Sequence, residues 1–355
     1  MGGTRPAQVH VLRSGRRRPV PDRVTKIVRA TCSASAPAFT TLPVQDNGQS
    51  SPNFPTFAQF SATRGGLWAG TAVATITAQF AVLTWRPGHQ PAVIERVTYV
   101  NGSYQAGNPG SVAVAGIGPS GTVAFRMQKV HTNLEDWVFG GYVYVNGRVL
   151  TLNHAPSWTS YYPVAVADDG SILGVARNGA RSGGVWSIVR WATPSAAYQF
   201  IASTHTQQAY PSMDGHGDIA WLSGTNAYVR LANGTVRDMN NNSGSYQVGP
   251  GEDGTILGYN QDIVKWGMAT IPGSGPVPYK SITPPNPSLY PSAVGTNGGM
   301  LMGGGPRQYF LTRGGAFVPA PAELAYSGYQ AVDESGVLAY TSAQDYRVHL
   351  LHCSR

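Results

Sequence analysis

The sequence predicts an all-β fold of repeated four-stranded antiparallel sheets, and three observations carry that expectation. The 355 residues include 44 Gly and 26 Pro, a density of helix breakers that leaves little room for long helices. Apolar residues make up 42% of the chain and charged residues only 12%, which supplies a sizeable core and excludes a disordered chain. Finally, one phrase recurs along the whole length: an apolar alternating run, a glycine turn, and a second apolar run.

The clearest copy runs from Tyr162 to Gly174 and turns at Asp168-Asp169-Gly170. Further copies run from Tyr210 to Trp221 around Gly217, Tyr246 to Gly258 around Gly254, Tyr290 to Gly303 around Gly298 or Gly299, and Tyr329 to Tyr340 around Gly336. Upstream, Val112 to Phe125 turns at Gly121, and Phe57 to Gly70, the weakest match, turns at Gly65. Behind each copy lies a second hairpin. Phe80 to Trp85 turns at Pro87-Gly88, Tyr142 to Val145 at Asn146-Gly147, Trp186 to Trp191 at Thr193-Pro194, Ala227 to Leu231 at Asn233-Gly234, and Tyr309 to Thr312 at Gly314-Gly315. Asn-Gly between alternating strands predicts a type I′ turn, in which both central residues take positive φ.

Two hairpins per period make four antiparallel strands, and the spacing of the turn glycines suits one propeller blade. Such sheets cannot each bury both faces alone, so they are expected to pack radially. The expected architecture is a single seven-bladed β-propeller over residues 23–355, preceded by a flexible basic tail over 1–22. Six blades is the fallback if Phe57 to Gly70 forms an extended cap. The last copy continues through Tyr346 to His352 and supplies only three strands. Either residues 25–31 or residues 38–43 are expected to add the fourth, as its outermost strand, which removes two open edges. That closure brings together the neighbourhoods of Cys32 and Cys353, cysteines too few for a disulfide framework or a zinc site.

The phrase Ala167-Asp168-Asp169-Gly170-Ser171-Ile172-Leu173-Gly174, followed by Trp186 and Trp191, resembles the bacterial propeller repeats called HAF repeats. Their unit reads roughly Asn-x-x-Gly-x-ϕ-ϕ-Gly and then an apolar strand with Trp. The resemblance spans residues 57–352 and implies the propeller fold. The Trp-Asp signature of WD40 blades is missing.

The net charge of +8 is concentrated at one end. Residues 1–29 hold eight cations against Asp22, so the other 326 residues carry 17 cations and 16 anions. A near-neutral body gives no footprint for nucleic acid, and no apolar run approaches the roughly 18 residues of a membrane span. Arg16-Arg17-Arg18 is followed by Pro19-Val20-Pro21 rather than an apolar stretch, so the chain as written is expected to be cytoplasmic. It is expected to be secreted if its start lies elsewhere, because Ser33 to Pro43 suits the junction of an exported protein. A monomer is expected.

Blade geometry puts the tight turns at one end and the longer, chemically richer connections at the other, where a rigid scaffold carries its ligand. Tyr162, Tyr210, Tyr246, Tyr290 and Tyr329 recur at the entrance to the innermost strand, with Trp158 beside the first. They form either a packing ring between blades or an aromatic funnel for a flat or sugar-like ligand. The connection that breaks the repeat length, Arg126 to Gly141, gathers His131, Glu135 and Asp136. A His four residues from a carboxylate can act as an acid/base pair, and His154 and His205 occupy comparable connections. Three His without compact spacing do not predict a metal site, and no cofactor is expected. Asp168-Asp169 and Glu252-Asp253 sit in tight turns, where backbone demands favour Asp. No serine-hydrolase elbow, phosphate loop or dinucleotide fingerprint appears in a strand-to-helix context. Two functions stay open. One is binding of a small polar, aromatic or glycan ligand at the long-loop mouth. The other is a cofactor-independent lyase, cyclase or hydrolase using His131, Glu135, His154 or His205 there.

Overall fold

A computed structural model describes residues 31–34, 57–74, 79–98, 112–128, 138–179, 184–204, 211–223, 226–238, 247–250, 255–260, 262–267, 279–282, 285, 289–294, 300–303, 308–311, 317–319, 328–332, 337–341 and 347–354. These strands form seven four-stranded antiparallel sheets. After β1 (Thr31–Ala34), the first sheet contains β2 (Phe57–Arg64), β3 (Leu67–Ala74), β4 (Gln79–Trp85) and β5 (Ala92–Thr98). The second contains β6 (Val112–Ile117), β7 (Val123–Gln128), β8 (Phe139–Val145) and β9 (Arg148–Thr151). The third contains β10 (Trp158–Val166), β11 (Ile172–Asn178), β12 (Val185–Trp191) and β13 (Tyr198–Thr204). The fourth, fifth and sixth sheets open with β14 (Ser212–Met213), β18 (Gln247–Pro250) and β22 (Tyr290–Val294). In all of these, strand order follows the chain, as a meander requires. The weakest repeat, at 57–98, is a full sheet of its own.

The first strands of successive sheets pack on one another. Contacts join β2 to β6, β6 to β10, β10 to β14 and β14 to β18. β26 (Gly328–Val332) contacts both β22 and β2, so the last sheet meets the first. The core is accordingly a series of radial seams rather than one central mass. Ala69, Phe80 and Val82 meet Val112, Val123 and Phe125 between the first and second sheets. Ala124, Val143 and Leu152 meet Tyr161, Ile172 and Trp191 between the second and third, and Leu173 and Ile188 meet Ile219 and Trp221 between the third and fourth. Trp68, Leu83 and Trp85 close the circle against Ala339, Val348 and Leu350. This explains why the second strand of a sheet reads as a continuous apolar run. β11 is buried on both faces from Ile172 through Arg177.

Local turn chemistry sets the hairpins. Gly65, Gly121, Gly170 and Gly217 all take positive φ in the first turns, where a Cβ would clash with the backbone. Asn146 and Gly147 have φ of 51° and 76°, as a type I′ turn needs. Asn233-Gly234 departs from that expectation. Only Gly234 has positive φ, because the Asn233 side chain accepts the Thr235 N–H at 3.0 Å while Gly234 N donates to Leu231 O, giving a longer Asx-type turn.

Gly174 is required for a different reason, close approach. A Cβ there would lie 2.5 Å from the Tyr162 carbonyl oxygen and 2.6 Å from Trp191 Cζ3. Gly174→Ala is expected to cost about 2 kcal/mol in chemical denaturation, the usual cost of overpacking, whereas an Ala-tolerant Gly174 would mean that the two strands can separate at this point.

The last sheet has the order β1, β28, β27, β26, with β27 at Leu338–Thr341 and β28 at Val348–Ser354. β1 begins at Thr31, the last residue of the first segment expected to fill this edge; 25–30 and 38–43 lie outside the described residues. Its register sets Thr31 opposite Ser354, Cys32 opposite Cys353 and Ser33 opposite His352. Among the described residues no helix is long and apolar enough to cross a membrane. The basic segment 1–22 lies outside the described residues.

Candidate functional site

The end that carries the first turns is closed by ion pairs and backbone bonds. Arg64, at the end of β2, forms an ion pair with Asp168 of the third sheet and donates to Ile117 O of the second at 3.5 Å. One guanidinium therefore ties three successive sheets together. Asp168 N donates to Gly215 O of the fourth at 2.7 Å. Arg190 donates to Asp169 Oδ2 at 2.8 Å and to Ser171 Oγ. Burial pushes the Asp169 carboxyl up, but the hydrogen bonds from Ser171 and the Arg190 charge outweigh it and hold it below the usual range. The turn carboxylates thus serve the scaffold, locally through backbone geometry and at long range through arginine.

Asp214, in the corresponding turn of the fourth sheet, behaves differently. Its side chain is only 2% exposed, its Oδ1 accepts the Asp218 N–H at 2.9 Å, and its Oδ2 has no hydrogen-bond partner. His216 Nδ1 is 3.9 Å away. Burial, aided by the Asp218 charge, pushes the Asp214 carboxyl up to about 6.

The opposite end, from which the connections 129–137 and 180–183 leave, holds a cluster of cations and rings. Arg126 stands near the end of β7, opposite Gly141, and its Cζ lies 4.9 Å from the Phe139 ring centroid and 5.2 Å from that of Tyr162. Tyr162 meets Phe139 edge-on at 5.5 Å and Trp186 edge-on at 6.3 Å. Arg177, directly opposite both Trp186 and Ser160, lies 5.4 Å from the Trp186 ring and is 1% exposed. Its Nε donates to Thr159 Oγ1 at 3.4 Å. Phe139 N donates to Ser160 Oγ at 3.0 Å, which pins the start of β8 to β10. The result is an alternating series of guanidinium, aromatic rings and guanidinium across the seam between the second and third sheets. Tyr162 remains partly exposed.

Of the residues singled out from the sequence, Tyr162 belongs to this cluster. Tyr290 begins β22 and Tyr329 is the second residue of β26, so both occupy innermost strands. Trp158 and His154 are gathered elsewhere. Tyr161 precedes Tyr162 and so faces the other side of the pleat. Its ring stacks on His154 at 4.0 Å and lies 6.4 Å from Trp158, which in turn lies 4.3 Å from Tyr198. The His154 Nδ1 is 3.1 Å from Leu152 O, and burial pushes the Tyr161 hydroxyl pKa up. His131, Glu135, His205, Tyr210 and Tyr246 lie outside the described residues. Among the described residues no group of three His, Cys, Asp or Glu side chains could hold a metal ion.

The sequence reading passed over Arg126 as a site residue and did not single out Arg177, Phe139 or, for binding, Trp186. A signal was present: an arginine inside Val123-Ala124-Phe125-Arg126-Met127 and inside Ile172-Leu173-Gly174-Val175-Ala176-Arg177 interrupts a strand otherwise apolar on both faces, where charge is rare unless it is used.

No protein-family model matches the chain, so the likeness to HAF repeats stays one of sequence phrase, and no curated protein matches it. Solved structures do. A streptogramin B lyase aligns with a TM-score of 0.52 at 10% identity, covering 92% of this chain and 98% of its own. An oligogalacturonate lyase in complex with manganese gives 0.52 at 10% identity, covering 92% and 96%. A chain of a mitotic checkpoint complex gives 0.50 at 11% identity, covering 88% and 98%. At such identities the likeness is one of fold, and that fold is the β-propeller.

Proposed function

We propose that this propeller binds a small polar or aromatic ligand at the end that carries the long connections, in the seam between the second and third sheets. The observation that supports it is Tyr162, a partly exposed ring in an innermost strand, set edge-on to Phe139 and Trp186 and flanked by the Arg126 guanidinium. Rings supply apolar contact area, and the Tyr hydroxyl and guanidinium supply orientation, the usual division of labour in a ligand pocket. Tyr210, Tyr246, Tyr290 and Tyr329 contribute from the other sheets in this reading, and a glycan is one form the ligand takes. The enzymatic alternative rests on His131, Glu135 and His205, for which the described residues supply no geometry, and on His154, whose ring stacks on Tyr161 on the face away from Tyr162.

Trp186 next to Tyr162 provides the readout. Titrating intrinsic fluorescence with a panel of sugars, sugar acids and aromatic acids is expected to give saturable quenching. Tyr162→Ala is expected to weaken the tightest ligand about tenfold or more, the loss of one stacked aromatic contact plus its hydroxyl. Arg86→Gln, at the tight-turn end, serves as the unaffected control. Equal affinity in the Tyr162→Ala protein moves the site away from this seam.

A further inference from the structure

We propose that the group recognised at this seam is a carboxylate and that Arg126 is the residue that binds it. The proposal rests on the binding reading above and names the chemical class of its ligand.

The Arg126 guanidinium has five N–H donors and cannot shed its charge in a protein. Its Nε is enclosed and has no hydrogen-bond partner among the described residues, and none of the ion pairs among them includes it. Its Cζ lies over the faces of Phe139 and Tyr162, which attract a cation but offer no oxygen to accept its protons. An enclosed donor with no acceptor among the described residues is costly and calls for a partner beyond them, such as water or an ion. Arg230 and Arg237 also hold one enclosed N–H each without an acceptor among the described residues, but four other arginines differ on this point, Arg86 among them, which donates to Gly65 O at 3.4 Å. Arg64 and Arg190 are paired with Asp168 and Asp169, and Arg177 donates to Thr159 Oγ1. Asp214, buried without a partner at Oδ2, can take up a proton below about pH 6, a route closed to arginine.

A second guanidinium, that of Arg177, lies one ring further along the series, beyond Trp186. Two cations held among rings make this point of an otherwise near-neutral body attractive to an anion. A single guanidinium edge matches a carboxylate in charge and planar geometry, through two parallel N–H···O bonds. A phosphate dianion calls for additional donors of the helix-terminus or nest type, and the described residues at this end contain no helix. The rings of Phe139, Tyr162 and Trp186 then form an apolar wall for the remainder of an organic acid, such as a sugar or aromatic ring.

The test is isothermal titration of the full chain at low salt with matched probes: benzoate against benzamide, and D-glucuronate against methyl D-glucoside, with inorganic phosphate as competitor. The expected result is that at least one carboxylate binds ~10-fold or more tightly than its neutral partner, that Arg126→Met abolishes this preference, and that Arg126→Lys, which keeps the charge without the planar fork, retains part of it. Phosphate is expected not to compete. The proposal is overturned if neutral and charged probes bind alike, or if Arg126→Met, shown to be folded by its unchanged melting, keeps the preference. If Arg126→Met does not fold, Arg126→Lys decides, and a preference undiminished from that of the native chain overturns the proposal. Equal binding of both probes that is lost in Tyr162→Ala preserves the site and removes only the carboxylate. Equal competition by phosphate replaces it with a general oxyanion site. Failure of every probe to bind contradicts the site itself.

Discussion

Removing residues 1–44 lowers the midpoint of thermal unfolding by about 10 °C or more. The cut takes away β1, and with it the outer edge of the sheet that joins the last repeat to the first. β28 then becomes an open edge, and the contact of β26 with β2 must hold the ends of the ring without that support. The register also permits a covalent link under oxidising conditions. Cys32 and Cys353 are direct cross-strand partners, and Cα atoms so paired in an antiparallel ladder stand roughly 4.5 to 5.5 Å apart, inside the roughly 4.4 to 6.8 Å that a disulfide spans. Where a disulfide-bearing oxidant is supplied, two thiols so placed would give the bridge by passing two electrons and two protons to it. Closing a loop from Cys32 to Cys353 contributes about 5 kcal/mol in a chain-entropy treatment, and each kcal/mol is worth about 2 to 4 °C in a domain larger than 150 residues. Thiol titration of oxidised, denatured protein is expected to find no free cysteine, and Cys32→Ser to reproduce about half or more of the loss. Unchanged melting of the truncated chain would show that the ring closes without β1.

Asp214→Asn flattens the pH dependence of stability between pH 4 and 6 and gains on the native chain by up to about 3 kcal/mol as pH rises from 4 to 7. The folded-state pKa of about 6 lies above the ordinary 3.8, so the folded chain holds a proton that the unfolded chain has released across that interval. Stability from this group is therefore fully present below the unfolded value and is lost as pH rises through the folded one. A shift of roughly two units corresponds to about 3 kcal/mol. Asn keeps an oxygen to accept the Asp218 N–H and carries no charge to desolvate. The measurement is urea denaturation of both proteins at pH 4, 5, 6 and 7. The difference is expected to be small at pH 4 and to grow with pH, and a constant difference would contradict the assigned cause.

Much of the fold was legible because its signals are local. Gly121, Gly170 and Gly217 take positive φ in short turns that any observer of the sequence can find, and the alternating runs beside them specify strands through the pleat. The closing strand was harder to place. β1 has only four residues, Thr-Cys-Ser-Ala, too short and too small-sided for an alternation to show. The ion pair of Arg64 with Asp168 joins positions more than a hundred residues apart, and no pattern along the chain announces it. The same applies to the seam. Tyr162 was visible as a repeated aromatic at a strand entrance, whereas Arg126 with Phe139 and Arg177 with Trp186 come together through strand pairing within the second and third sheets, and Tyr162 joins Arg126 and Phe139 only through radial packing between the sheets. His154 looked equivalent to other connection histidines in sequence, yet the pleat sends its partner Tyr161 to the face opposite Tyr162.

The most direct test is a crystal structure of the full chain with the carboxylate that binds it most tightly. The carboxylate is predicted to lie within hydrogen-bond distance of the Arg126 guanidinium, with the rest of the ligand against Tyr162 and Trp186. A ligand found instead at the tight-turn end, beside Arg64, Asp168 and Asp214, would contradict the account.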